Sequence, residues 1–244
     1  MMSIPYFLRR ISEPKTMEAV EMKAFEDLSV QNYKRWFIPL VDHALEWARL
    51  SGRKMILDVA CGPGFLVREL ASRSPSFRVT GIDTSKYGIR LARKNSEGFT
   101  NTQFLVGSVY QLPFPSESFD LVMCKDSFHH FNNPCRALAE MWRVLKPLGT
   151  LYLHDLRRDL PRYLLQRATP RRTVIQKLQF YSTRASYTKS EVRAFFWSLK
   201  IRPRAVATRV VTSTIKKRYK RLGIDHHQLK EGFQARFFAV AQRK

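Results

Sequence analysis

Residues 55–64, Met-Ile-Leu-Asp58-Val-Ala60-Cys61-Gly62-Pro-Gly64, run an apolar strand straight into a glycine turn, and a second strand, 78–83, ends in Asp83 one βα unit later. The pairing restricts the chain to an open α/β sheet with a ligand at the carboxyl ends of its strands. Gly62 and Gly64 let the backbone turn tightly and approach a ligand where a Cβ would collide, and Asp83 is placed to accept hydrogen bonds from two ribose hydroxyls. A dinucleotide fingerprint would continue to a third glycine, but Val67 stands there. The loop therefore suits a nucleoside that carries no pyrophosphate.

Further segments extend the pattern in order. They are Leu112-Pro-Phe-Pro-Ser-Glu-Ser-Phe119-Asp120-Leu-Val, then His129-His130-Phe-Asn-Asn-Pro134, then Leu145-Lys-Pro147-Leu-Gly149-Thr-Leu. Over roughly 50–155 this ordered set resembles the class I S-adenosylmethionine-dependent methyltransferases, in particular the branch with the ubiquinone and menaquinone C-methyltransferases. The resemblance implies a Rossmann-like, doubly wound α/β fold. Its seven-stranded sheet would be mostly parallel with an antiparallel last strand, under an amino-terminal helical lid (1–48) and with an insertion after strand five (156–186). It also implies S-adenosyl-L-methionine as cofactor and a small-molecule or lipid-like methyl acceptor.

Strands are expected at 55–60, 78–83, 102–106, 119–124 and 149–154, with helices after Gly64, after Ser85 and over 134–145. Asn133 caps the last of these and Pro134 suits its first turn. Apolar residues from Tyr33 to Ala48 fall at helical spacing, with Pro39 marking a kink or late start. Thr188-Lys-Ser-Glu191 is a capping box for a helix through Leu199. Strands are expected near 205–211 and over 235–241. The insertion crowds Arg157, Arg158, Arg162, Arg167, Arg171 and Arg172 among Leu160, Tyr163, Leu164, Leu165, Phe180 and Tyr181, and its shape does not follow from the sequence.

In-line methyl transfer depends chiefly on alignment. Orientation is worth up to roughly 7–11 kcal/mol, a general base on the order of 3–5 kcal/mol. Cofactor holders are therefore sought first. Asp58 would orient the glycine loop and meet the cofactor's ammonium, with Ala60, Cys61 and Gly62 offering backbone groups; a carboxylate that only ties the turn is the alternative. Asp83 is the ribose acceptor, with Thr84 beside it, unless it serves as a helix cap. Ser108 and Val109 stand where the family commonly has an aspartate facing adenine, and a serine there either weakens adenine recognition or shifts it to the Val109 backbone. Lys125, Asp126 and His129 follow strand four at the sheet's carboxyl edge. His129 is the candidate general base, its pKa suited to neutral pH, and Asp126 is a second catalytic candidate that could accept from the methyl acceptor. Both also fit plain packing or turn-capping roles. Asn133-Pro134-Cys135 opens a helix about ten residues beyond strand four, too far along to match the base-modifying motifs it faintly resembles.

Charge divides unevenly. Residues 1–142 carry 18 Lys+Arg against 15 Asp+Glu, and 143–244 carry 25 against 5, within a net charge of +23. Such a field draws polyanions, either RNA or an anionic lipid surface. An RNA-modifying methyltransferase and a non-catalytic binding protein of the same fold are thus the competing functions. Three cysteines (Cys61, Cys124, Cys135) without metal-ligand spacing, no apolar run of membrane-spanning length and no signal-like start predict a cytoplasmic protein, at most peripheral to a membrane, with no metal.

Overall fold

The structure is a computed structural model, described over residues 10–11, 19–160, 164, 172–209 and 212–243. Seven strands form one sheet in the order β3-β2-β1-β4-β5-β7-β6. They are β1 (Lys54–Val59), β2 (Phe77–Asp83), β3 (Thr102–Val106), β4 (Phe119–Lys125), β5 (Leu145–Leu156), β6 (Ala205–Ala207) and β7 (Arg236–Gln242). β7 runs antiparallel to both its neighbours, β5 and β6, while β1 to β5 pair in parallel. The expected doubly wound sheet with its antiparallel last strand is what the chain forms.

Parallel strands covered on both faces read as continuous apolar runs. In β1, Ile56 packs on one face and Leu57 and Val59 on the other. The Ile56 face, with Leu121 and Met123, is covered by α3 (Ile38–Ala48), α4 (Phe65–Arg73) and α5 (Lys86–Asn95). The Leu57 face, with Val122 and Leu153, is covered by α6 (Pro134–Arg143) and α8 (Lys189–Ser198). The caps act as the sequence indicates. Ser85 Oγ accepts from Gly88 N at 3.0 Å, Asn133 Oδ1 from Arg136 N at 3.0 Å, and Thr188 and Glu191 close a reciprocal box.

The amino-terminal segment comprises α1 (Ala19–Gln31), the single turn α2 (Tyr33–Trp36) and α3, and the chain breaks between the last two so that Pro39 sits in the first turn of a restarted helix. Two boundaries depart from expectation, and three helices were not foreseen. α6 stops at Arg143, because Val144 and Leu145 are fully buried and Leu145 already pairs with Phe119. β5 consequently spans twelve residues, with a bulge and a left-handed Leu148 (φ 63°) where a loop was expected. The insertion contains α7 (Val174–Ala185), and the other two, α9 (Ser213–Lys220) and α10 (His226–Gln234), lead from β6 into β7. Arg162, Tyr163, Leu165, Arg167 and Arg171, and the Val211 end of the expected strand, lie outside the described residues.

Candidate active site

The turn after β1 passes through three left-handed residues, Ala60 (φ 60°), Gly62 (φ 50°) and Gly64 (φ 79°). Gly62 donates its N–H to Asp83 Oδ2 at 2.8 Å, and Ser85 donates to Asp83 Oδ1 at 2.8 Å. One carboxylate thus fastens the glycine loop of β1 to the α5 entrance of β2. Burial pushes the Asp83 carboxyl up, and the amides of Ser85 and Gly62 pull it back. The two glycines differ in purpose. A Cβ on Gly62 would meet only Met22 Sδ, at 3.9 Å, whereas one on Gly64 would stand 2.7 Å from Ala92 Cβ and 2.9 Å from Ala92 Cα. Gly64 therefore serves helix packing and does not line the cavity beside it, which corrects the expectation that it approaches a ligand.

That cavity, of about 670 Å³, opens at the carboxyl ends of β1, β2, β4 and β5 and is roofed by α1, α2 and α7. It gathers the other eleven candidates: Asp58, Ala60, Cys61, Gly62, Asp83, Thr84, Ser108, Val109, Lys125, Asp126 and His129. Its polar end lies over β1 and β2. Asp58 is buried there, and desolvation raises its carboxyl well above the usual range against the opposing pull of Lys125. Ser108 Oγ accepts from Tyr110 N at 3.2 Å, and Val109 is buried beside it.

Over β4 and β5 the structure revises one assignment. Asp126, left-handed at φ 48°, accepts from Arg236 Nε at 2.8 Å and from Lys125 Nζ at 2.5 Å. Burial opposes ionisation, but the Arg236 guanidinium and the Lys125 ammonium hold the carboxyl well below the carboxylate range. A carboxylate held this way is a poor proton acceptor, so Asp126 anchors the start of β7 instead of serving as a base. Lys125, in turn, lies 4.9 Å over the Phe37 ring.

His129 is buried and held by an aspartate that sequence reasoning did not single out. Asp155, near the end of β5, takes the His129 backbone N–H at 2.8 Å and faces its Nδ1 at 2.7 Å. In a neutral ring this contact makes Nδ1 the protonated nitrogen and Nε2 the basic one. The signal was present, since a carboxylate at the edge of a central strand is where such sheets bind ligands, but β5 runs two residues beyond its expected end. His154 and Arg236 also line the cavity and were missed. Burial lowers the His154 ring well below its ordinary value. The remaining wall is apolar, with Met22 and Phe25 from α1, Leu156 at the end of β5, Leu160 and Leu164 after it, and Ile175 and Leu178 from α7.

The sheet order, the glycine loop and the acid closing β2 define a Rossmann-like fold of the class I methyltransferase type. Residues 57–153 match the family model described as "Methyltransferase domain". The demethylmenaquinone methyltransferase of Deinococcus radiodurans is 39% identical over 101 residues, 41% of this chain and 42% of that protein. The phthiotriol/phenolphthiotriol dimycocerosates methyltransferase of Mycobacterium leprae is 37% identical over 127 residues, 50% and 45% of the two chains. The chain thus spans about half the length, or less, of these curated relatives. Among solved structures, a SAM dependent methyltransferase from Aquifex aeolicus superposes with a TM-score of 0.66 at 18% identity, covering 94% of this chain and all of that one.

Proposed function

We propose that the protein is an S-adenosylmethionine-dependent methyltransferase acting on a lipid-like acceptor. One observation carries this reading: a single cavity joins the polar cradle of Asp58, Asp83 and Ser108 to an apolar wall built from α1, α7 and the segment after β5. The cradle fits the cofactor. Gly62 leaves open space where a side chain would intrude, and no hydrogen bond engages the Asp58 carboxylate among the described residues.

When bound, the cofactor supplies a methyl group on a sulfonium. Asp83 would accept from the ribose hydroxyls through the lone pairs its amide contacts leave, Asp58 and the 60–62 backbone would face the amino-acid part, and Ser108 and Val109 would border the adenine. The apolar wall aligns the acceptor and excludes water, the larger share of the acceleration. His129, held by Asp155, takes the acceptor's proton where one must leave, worth a factor of about 10²–10⁴.

The relatives' names direct the acceptor screen to demethylmenaquinone first, with release of S-adenosylhomocysteine as the readout. Turnover with an apolar acceptor and none with RNA is the expected outcome; turnover with RNA alone would replace this reading. Part of the basic charge of residues 143–244 is already paired within the fold, since Arg218 pairs with Asp42 at 3.1 Å and Glu46 at 3.5 Å while Tyr219 is fully buried and donates to Asp42. Among the described residues no helix is long and apolar enough to cross a membrane.

A further inference from the structure

The β7 end of the cavity is lined by three arginines brought from separate parts of the chain: Arg35 on α2, Arg209 after β6 and Arg236 at the start of β7. Their compensation is unequal. Arg236 has the carboxylate of Asp126. Arg209 donates from Nη1 to the Pro39 carbonyl at 2.6 Å, bonds the Tyr219 hydroxyl and lies 4.7 Å over the Phe233 ring, all neutral partners. Its Nε is buried with no hydrogen-bond partner among the described residues. Arg35 makes no hydrogen bond or ion pair among the described residues and rests 5.9 Å from the Trp36 ring.

The acidic groups facing this end are Asp126, committed to Arg236 and Lys125, and Glu231 on α10. Arg35 is lowered by burial and then by repulsion from Arg236, with Glu231 acting in the opposite sense. Four cations, counting Lys125, therefore meet two carboxylates on a half-buried wall. Buried donors left without acceptors are costly, and an arrangement of this kind is stable when an anion completes it.

We infer that this end of the cavity is an anion subsite, with Arg35 and Arg209 binding a carboxylate or phosphate carried by the acceptor while its hydrocarbon part lies along the α1 and α7 wall. The inference rests on the lipid-like acceptor proposed above and narrows it to an anionic amphiphile. A guanidinium fork matches the two oxygens of either group.

The test is calorimetric titration of the full chain, without cofactor, with decanoate, decyl phosphate and decanol. Charge-assisted hydrogen bonds predict one or both anions binding at least about tenfold more tightly than decanol. Whichever anion is preferred identifies the group. Arg35→Gln and Arg209→Gln should each reduce that preference to about threefold or less and leave decanol binding unchanged. Arg35→Gln has no hydrogen bond to lose, so it remains informative if Arg209→Gln unfolds. Equal affinity for all three probes, or a preference that survives Arg35→Gln, would overturn the subsite. A parallel titration with S-adenosylmethionine separates the failures. Cofactor binding without anion preference sinks the subsite alone, and absent cofactor binding sinks the enzymatic reading.

Discussion

Gly64, Gly52 and Gly81 permit a dissection of why the loop needs glycine. Gly52 is left-handed (φ 69°) with nothing within 4 Å of the place a Cβ would take, so Gly52→Ala costs only the conformational term, about 1–2 kcal/mol. Gly81 has no such backbone demand, but its Cβ would lie 2.8 Å from Cys61 Sγ and 2.9 Å from Phe104 Cδ1, a purely steric burden of about 1–3 kcal/mol. Gly64 carries both, and its obstacle includes the Ala92 backbone, which cannot swing away. Gly64→Ala should therefore cost about 2–5 kcal/mol, near the sum of the other two. At about 2–4 °C per kcal/mol for a chain of this size, that lowers Tm by roughly 4–20 °C. Thermal melts of the three variants, with urea titration to check that the transition stays two-state, measure it. Gly64→Ala costing no more than Gly52→Ala would refute the close-packing argument. Gly62→Ala should behave oppositely, melting near Gly52→Ala but losing about tenfold or more in cofactor affinity.

Other consequences can be checked separately. Asp126→Asn leaves the Arg236 and Lys125 charges uncompensated in a buried setting and should cost about 3–5 kcal/mol by urea unfolding. Because the folded Asp126 carboxyl lies well below its unfolded value of about 3.9, its contribution is complete above that value and is lost as pH falls towards the folded pKa. Acid titration of Asp126→Asn should lack that component. For Asp83, which is raised, cofactor affinity should fall on acidification beginning above the ordinary carboxylate range, and a pH series that tracks an ordinary carboxylate would contradict the assignment. Asp155→Asn should lower kcat by about 10²-fold or more with cofactor affinity intact, as its role is to hold His129. His43, lowered to about 3 by burial and by Arg209, should remain neutral in NMR titrations from pH 5 to 8.

The cofactor half of the site was legible because local rules coincide there. A buried apolar strand, left-handed glycines and an acid closing the next strand each constrain a few consecutive residues, and the structure joins them through the Asp83 contact to Gly62. The acceptor half was less legible because its chemistry is tertiary. Asp155 and Arg236 reach His129 and Asp126 across 26 and 110 residues, and no spacing announces such pairs. Asp126 looked reactive for the same reason, since its guanidinium partner Arg236 lies on β7. α9 was hidden by its own charge: Tyr219 is buried at the centre of a run that reads as a solvated basic stretch.

On this reading the cavity over β1 and β2 holds S-adenosylmethionine through Asp83. Isothermal titration of ligand-free protein with S-adenosylmethionine and S-adenosylhomocysteine, alongside Asp83→Ala, tests it most directly. We expect saturable one-to-one binding of both ligands by the native chain and its loss in a folded Asp83→Ala variant. Absence of binding to the native chain, or undiminished binding by Asp83→Ala, would contradict it.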